Sequence, residues 1–405
     1  MNRSDKSGSD FPAVRADAWR RLEVFADQMP KYAAERNRVV PGHTNVSQLS
    51  PAIRHRVLSE QEFAAFAIER HGFREVEKLV QEIYWRLYWK SWLEMRPDIW
   101  TRYCSDRDQF SSGAWRAGEK VMNGQSGIDI IDYFARELTT TGYLHNHARM
   151  WFAGAWIHHF GLPWEMGADF FHQHLLDGDP ASNTLSWRWV AGLHTQGKSY
   201  LARPANIEKY VDLEILDANR AGLERLDGSI ANIPSEDPIP ERSLPKIEDG
   251  EAGHDCEQIG WWLHDDDLQL GEDWKGARAV ALLSRDIHVQ ARYGENRKMF
   301  IQQGLRDAAK QMESRAAVEF AETSATATFL GDWADDHGLK TIVAYQPWVG
   351  PIRDALPEIE SQLCRRGIAL QLHRKPSDHW WVGEATAGFF GFWKKVCRNQ
   401  AFVSE

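Results

Sequence analysis

The chain has 405 residues, of which 43% are hydrophobic and 26% are charged, and its formal net charge is −10. This length suggests two or three domains, and the acidic balance excludes a protein that is basic over its whole surface. The polar first residues, MNRSDKSGSD, contain no apolar signal core, and no apolar run approaches the roughly 20 residues that cross a bilayer. We therefore expect a cytoplasmic protein without a membrane-spanning segment.

Helical periodicity dominates the first half of the chain. In EVEKLVQEIYWRLYWKSWLEM the apolar positions recur at helical spacing: Val76, Leu79, Val80, Ile83 and Leu87. DIIDYFARELTTTG predicts a second amphipathic helix that ends at Gly142, and ARMWFAGAWIHHFG predicts a third that is apolar nearly all round and so buried. We find no strand alternation here, and the pattern predicts a helical domain over residues 1–232.

The composition and the hydrophobic pattern change after residue 232. Residues 233–257 are rich in Pro, Gly and acids without apolar periodicity, which is typical of an interdomain linker. Over residues 258–405, helices alternate with five short apolar stretches that predict strands: QIGWWLHDD, ARAVALLS, AAVEFAE, LKTIVAYQP and IALQLHR. This alternation predicts an α/β domain with a doubly wound parallel sheet. No GxGxxG follows its first strand, so a classical dinucleotide site there is unsupported.

The sequence contains no persuasive metal motif. The spacing D-x-D-x-x-x-N from Asp177 resembles the start of a calcium loop, but Ser182 and Arg188 stand where that loop needs Gly and Glu. The four cysteines form no CxxC pair, and the histidines form no H-E-x-x-H. We therefore expect no metal site.

Four ordered blocks within residues 20–210 resemble the FAD-binding domain of the photolyase/cryptochrome family. They are VSQLSPAIR, QEIYWRLYWKSW, TTTGYLHNHARM and PWEMGADFFHQHLLDGDPASNTLSWRWVAG. In the second half, IGWWLHDDDLQLGED and ATAGFFGFWKKV resemble the opening and closing segments of the α/β domain with which this family usually begins. The resemblance implies a circular permutant, in which a helical FAD-binding catalytic domain precedes a C-terminal photolyase-type antenna domain.

The resemblance implies one bound FAD, and it leaves open whether an antenna chromophore (a folate, a deazaflavin or a second flavin) also binds. Arg149 and Asp177 are expected to pair beside the flavin ring, Asp179 to bind the ring edge, and Asn183 to face its N5. Val46 stands where the family usually has Thr, so one hydroxyl is lost at the phosphate-binding turn. The full expected set of FAD contacts is Tyr32, Val46, Ser47, Gln48, Leu49, Ser50, Arg86, Asn146, Arg149, Asp177, Gly178, Asp179 and Asn183.

The resemblance also implies a pocket for a flipped pyrimidine dimer, lined by the catalytic set Glu82, Trp85, Asn146, Met150 and Trp189. The expected DNA contacts are Arg36, Arg54, Glu82, Trp85, Asn146 and His147, on a basic face that also includes Arg38, Arg56, Lys90 and Arg188. Trp187 and Trp164 match the proximal and middle members of the family's electron-transfer chain. The distal member has no match, and Trp115 or Trp156 could replace it.

The implied activity is that of a deoxyribodipyrimidine photolyase, a carbon–carbon lyase. Photoexcited reduced FAD would pass an electron to a cyclobutane pyrimidine dimer and recover it after the ring bonds split. The expected partner is UV-damaged DNA, single- or double-stranded, and we expect a monomer without an obligate protein partner. The main alternative is a cryptochrome-type blue-light photoreceptor; a flavoprotein oxidoreductase is a third. His145 and His147 flank Asn146, which leaves the (6-4) lesion open as substrate.

Overall fold

The computed structural model describes residues 11–194, 199–235, 238–244, 258–269, 277–313 and 317–399. Its first part is helical, as predicted. The α-helices there are α1 Arg15–Phe25, α2 Tyr32–Glu35, α3 Ser50–Arg54, α4 Glu60–His71, α5 Phe73–Glu94, α6 Asp98–Asp106, α7 Ser112–Met122, α8 Asp129–Thr141, α9 Asn146–Gly154, α10 Trp164–His174, α11 Pro180–Ala191, α12 Pro204–Tyr210 and α13 Leu213–Ala218. Shorter 3₁₀ segments lie at Ala26–Lys31, Pro41–His43 and Leu223–Gly228.

The long helix α5 follows directly from its apolar periodicity. All five residues that predicted it are buried, and they pack the helix into the main core. The second predicted helix, α8, ends where expected, because Gly142 adopts the left-handed conformation with φ of 74°. The third is buried but not regular, since α9 passes into a π-helical turn at Ala155–His159.

The predicted parallel sheet is confirmed. Its strands are β1 Ile259–Leu263, β2 Arg278–Ser284, β3 Ala317–Thr323, β4 Thr341–Tyr345 and β5 Ala369–His373. All four strand pairs are parallel, in the order β3-β2-β1-β4-β5. The accompanying helices are α14 Arg285–Gln290, α15 Glu295–Met312, α16 Thr326–Asp336, α17 Pro351–Arg365, α18 Pro376–His379 and α19 Phe389–Asn399.

The two faces of the sheet are buried in different cores. Trp262 on β1 packs into a separate cluster with α16 and α17. Its neighbour Trp261, which points to the opposite face, belongs to the same hydrophobic cluster as the helical half. The doubly wound arrangement is therefore present, and one face of the sheet shares a continuous core with the first part of the chain.

Buried ion pairs also connect the helical first part of the chain to the α/β part. Arg54, the last residue of α3, donates to Asp266 at 2.7 Å. Arg56 donates to Asp267 at 2.8 Å and to Asp378 at 2.6 Å. These side chains are nearly inaccessible, and removing one partner of a buried pair typically costs about 3–5 kcal/mol. The two halves are thus joined by polar as well as apolar contacts.

Much of the predicted linker lies outside the described residues. Its described parts, 233–235 and 238–244, contain neither helix nor strand. No helix in the described part of the chain is long and apolar enough to cross a membrane.

Candidate functional site

The loop between α10 and α11 contains two buried aspartates, Asp177 and Asp179. Gly178 separates them, and a Cβ added there would approach Nη1 of Arg297 to 2.5 Å. Arg297 comes from α15 in the α/β half, and it donates to the carbonyl oxygens of His172 and Gly178. The second half of the chain therefore fixes the backbone of this acidic loop, a contact that the sequence did not predict.

Asp177 forms the ion pair that the sequence predicted. Nη2 of Arg149 lies 2.9 Å and 3.0 Å from its two carboxylate oxygens. Nη2 of Arg86 lies 3.8 Å from the same carboxylate. Burial alone raises the pKa of Asp177, but Arg149, Arg86 and Ser50 together hold it below its ordinary value. Asp177 is therefore a fixed anion that positions two arginines.

Asp179 caps α11. Its carboxylate accepts from the backbone N–H of Ser182 at 2.8 Å, which satisfies one of the free donors of the first helical turn. Nε of Arg54 lies 3.5 Å away and Nζ of Lys90 lies 3.8 Å away. Burial raises the pKa of Asp179, but Lys90, Arg54 and Arg86 lower it far more. These partners were not predicted.

The cations of this cluster retain hydrogen-bonding capacity. Among the described residues, Nε of Arg54, Nη1 of Arg86 and Nζ of Lys90 have no hydrogen-bond partner although they are buried. A buried donor without a partner costs roughly 1–3 kcal/mol, so an acceptor-rich anionic ligand would be stabilised here. The diphosphate and the ring carbonyls of FAD have this chemistry, and the donor set fits such a group.

Asn183 lies one turn into α11 and is 8% exposed. Its side-chain amide nitrogen donates to the carbonyl oxygen of Ala168 at 2.8 Å. This bond fixes the orientation of the amide, as a group facing a flavin ring requires.

The predicted phosphate-binding turn runs from Val46 to Ser50. Gln48 has a positive φ of 55°, and the hydroxyl of Ser47 accepts from the backbone N–H of Leu49 at 3.3 Å. Leu49 is fully buried, so its side chain belongs to the core. Burial and the nearby Glu82 raise the pKa of the Tyr32 hydroxyl. The turn is strained at Gln48 and is anchored to the core by Leu49.

The predicted substrate residues lie at partly exposed positions on α5, α9 and α11. Asn146 is exposed, and its amide contacts the sulfur of Met150 at 3.9 Å. Glu82 pairs with Lys78 at 2.7 Å and lies 3.6 Å from Arg36. Burial lowers the pKa of His147 to about 4; the nearby Arg36 adds to this effect and Glu82 opposes it. The half-buried Trp189 packs against Tyr200.

Trp85 has a neighbour that the sequence did not predict. Phe389 of α19 stacks face to face on its indole, with ring centroids 3.9 Å apart and planes 8° apart. The buried face of α19 can be read from the spacing of Phe389, Phe392, Trp393 and Val396. Its partner could not be predicted, because the contact spans some 300 residues of sequence. One face of Trp85 is therefore covered by protein.

The predicted basic face is largely wrong. Arg54, Arg56, Lys90 and Arg188 are each 1–2% exposed, so none of them lies on a surface that DNA can reach. Arg54, Arg56 and Lys90 face buried carboxylates instead, because a charge inside a protein requires a partner. Of the predicted basic residues, Arg36 is partly exposed and Arg38 is exposed.

The aromatic side chains around Trp187 suggest a different neighbour from the predicted one. Its ring lies 5.0 Å from that of Phe171 and 6.3 Å from that of Trp156. Trp164 instead contacts Tyr103 at 5.8 Å. Trp115 is 42% exposed. Trp156, which the sequence left open as a substitute for the distal member, instead makes an edge contact with Trp187.

Among the described residues, no cluster of three or more His, Cys, Asp or Glu side chains is arranged to hold a metal ion.

Part of the chain, including most of these residues, is similar to known proteins. Residues 79–215 match the family described as the FAD binding domain of DNA photolyase. A deoxyribodipyrimidine photo-lyase of Thermus thermophilus is 34% identical over 190 residues, which are 44% of this chain and 43% of that protein. The enzyme of the same name from Streptomyces griseus is 32% identical over 182 residues, covering 41% and 39% of the two chains. The chain thus spans less than half the length of these relatives.

A solved structure, that of a class III photolyase from Agrobacterium tumefaciens, superposes with a TM-score of 0.43 at 27% identity. The superposition covers 49% of this chain and 42% of that one.

Proposed function

We propose that the chain belongs to the photolyase/cryptochrome family, that it binds FAD, and that it repairs cyclobutane pyrimidine dimers in DNA under blue light. The match of residues 79–215 to the FAD binding domain of DNA photolyase supports this proposal. It would then act as a deoxyribodipyrimidine photolyase. The whole-protein activity is a proposal, because the chain spans less than half of the relatives that bear this name.

The acidic loop and its cations would hold the cofactor. Arg86 and Lys90 have buried N–H groups to donate, and the Arg149–Asp177 pair supplies a fixed ion pair beside them. Asn183 would present its amide to the ring. Bound FAD in its reduced form would supply the electron when it absorbs blue light. The chain's own residues contribute binding, orientation and exclusion of water.

One observation supports the proposal most strongly: helices α5 and α9 each contribute residues to both the cofactor cluster and the proposed substrate pocket. On α5, Trp85 of the predicted substrate pocket directly precedes Arg86 of the cofactor cluster. On α9, Asn146 and Met150 are exposed or partly exposed, while Arg149 between them reaches the buried Asp177. Residues in contact with a flavin and residues in contact with a substrate would therefore lie side by side, which a short electron transfer requires.

The substrate residues have chemistry suited to a flipped pyrimidine dimer. The face of Trp85 opposite Phe389 is the one that would stack on a pyrimidine ring. The exposed amide of Asn146 can both donate to a carbonyl and accept from an N3–H, and Glu82 can accept from N3–H. No proton transfer by a general acid or base is required for dimer splitting in this scheme.

We also propose that the chain is a circular permutant of its family. The helical part precedes the parallel sheet here, and IGWWLHDDDLQLGED, which resembles the usual opening of the α/β domain, begins that sheet at β1. The residues matched to the FAD-binding domain lie before it in the chain.

One observation favours the alternative, a cryptochrome-type photoreceptor. Phe389 covers one face of Trp85, so a dimer could stack on one face of this indole at most. A sensor has no need to admit a dimer, whereas a repair enzyme must keep the other face of Trp85 accessible.

A photorepair assay separates the two functions. Irradiated oligothymidine is mixed with protein carrying fully reduced FAD, and thymine absorbance near its ultraviolet maximum is followed in blue light and in the dark. Repair predicts recovery of absorbance in light alone. A protein that binds FAD but restores no absorbance under these conditions is not a dimer photolyase, and the photoreceptor proposal then replaces it.

A further inference from the structure

The last described helix, α19, has an outer face unlike its buried one. Phe390, Lys394 and Arg398 follow each other at four-residue spacing, so they form one stripe along the helix. All three are exposed, and Phe390 is 67% exposed despite its apolar ring. The stripe therefore presents one large apolar ring and two cations to solvent on the same side of the helix.

The stripe is anchored next to the proposed substrate pocket. Phe389 stacks on Trp85, and the hydroxyl of Tyr88 donates to the carbonyl oxygen of Ala387 at 3.1 Å, just before the helix. One turn further on, Trp393 packs on Tyr84 with ring centroids 5.8 Å apart. Because a helix rises about 1.5 Å per residue, the stripe extends for about 12 Å from a point beside Trp85.

The charges of this stripe are not neutralised by the protein. Among the described residues, no carboxylate lies within ion-pair distance of Lys394 or Arg398. The neighbouring Lys395 differs, since it pairs with Glu384 at 2.6 Å. The chain has a net charge of −10, and the cations that the sequence predicted to contact DNA are mostly buried. Lys394 and Arg398, beside the proposed pocket, are therefore complementary to a polyanion.

We propose that the outer face of α19 is a DNA-contact surface that holds the strand flanking the flipped lesion. Lys394 and Arg398 pair with backbone phosphates, and Phe390 packs on an adjacent base. This inference rests on the proposed function, since it takes DNA as the ligand of the neighbouring pocket. It adds a contact from the second half of the chain, where the FAD-binding domain match does not reach.

The test compares two double variants of the full-length protein, each of which removes two exposed positive charges. Lys394→Gln/Arg398→Gln alters the stripe, whereas Arg278→Gln/Lys340→Gln alters the amino ends of β2 and β4 and serves as the control. Binding to irradiated and unirradiated single-stranded oligothymidine is measured over a range of salt concentrations. The stripe variant should show a salt slope shallower by about 1.4, since each phosphate contact on a single strand contributes roughly 0.7. The control should match wild type.

A third variant, Phe390→Ala, tests the aromatic contact. Loss of one base–aromatic stack should weaken binding by about five- to a hundredfold with the salt slope unchanged. Thermal unfolding confirms that all variants fold, as expected for exposed positions.

The outcomes separate this inference from the proposed function. If wild-type protein binds and repairs DNA but the stripe variants behave like the control, the inference is wrong and the proposed function stands. If wild-type protein binds oligothymidine through the stripe yet repairs nothing in light, the surface is correct and the repair function fails. Binding of wild-type protein to anionic phospholipid vesicles that is lost in the stripe variants, with DNA binding unchanged, would assign the stripe to membranes and overturn the inference.

Discussion

Arg297→Met removes the side chain through which the α/β half holds the acidic loop. Arg297 is fully buried, its Nη2 lies 2.8 Å from the carbonyl oxygen of Gly178, and its Nη1 donates to the carbonyl oxygen of His172. Methionine replaces the aliphatic part of the arginine side chain but lacks its guanidinium, so the main loss is that of two charged hydrogen bonds. The guanidinium also lies 3.6 Å above the ring centre of Tyr293.

The magnitude follows from these contacts. Hydrogen bonds to a charged group contribute about 1.5–3 kcal/mol each, so loss of the two should lower the free energy of unfolding by about 3–6 kcal/mol. The freed carbonyl groups lie at residues 172 and 178, so the loop with Asp177 and Asp179 should lose its fixed position and bind FAD more weakly.

Urea denaturation and FAD titration measure both effects. Lys310→Met, on the exposed side of the same helix, is the control and should change stability by less than about 0.5 kcal/mol. Arg297→Lys should restore part of the loss, because the amine can still donate to one carbonyl. The reasoning is refuted if Arg297→Met unfolds at the urea concentration of wild type and binds FAD with unchanged affinity.

Three further predictions concern the site itself. Trp85→Ala should weaken binding to dimer-containing DNA about ten- to a hundredfold, while flavin content and binding to undamaged DNA stay unchanged. The control Phe389→Leu, which removes only the covering ring, should retain most dimer binding. Equal losses of dimer binding in the two variants would make Trp85 structural. Trp187→Phe should slow photoreduction of bound oxidised flavin in an absorbance time course but spare repair by protein already reduced; equal loss of both would contradict an electron-transfer role. Burial, His43, His147 and Arg149 lower the pKa of His145 to about 3, against about 6.5 when unfolded. Between these pH values the unfolded chain holds a proton that the folded chain lacks, so stability falls as pH falls, by up to about 1.4 kcal/mol per unit. His145→Asn should make urea midpoints at pH 7 and pH 5 differ less than in wild type, and an unchanged difference would exclude this histidine as a cause.

The parts of the fold that depend on local pattern could be predicted. Helical spacing was enough for α5, the left-handed Gly142 marked the end of α8, and the five apolar stretches of the second half all became parallel strands. The Arg149–Asp177 pair was also correct, because it rested on two sequence blocks in a fixed order.

The errors concern contacts between distant parts of the chain. In the sequence, Arg54 and Arg56 cannot be distinguished from arginines at the surface. Their partners, Asp266 and Asp378, are more than 200 residues away in the chain, so local sequence does not reveal the pairs. Charge patterning therefore predicted a basic surface where the fold has buried ion pairs. The stack of Phe389 on Trp85 was missed for the same reason, since local spacing identified a buried helix face but not its partner.

The central claim is that the buried cluster around Asp177 and Asp179 holds one FAD. Titration of flavin-free protein with FAD, followed by the visible absorbance of the protein-bound fraction after gel filtration, tests it most directly. Wild type should retain one FAD per chain without a covalent bond. Lys90→Met should bind more weakly, because it removes a buried N–H donor that has no hydrogen-bond partner among the described residues. Wild-type protein that is folded and retains no flavin would contradict the account.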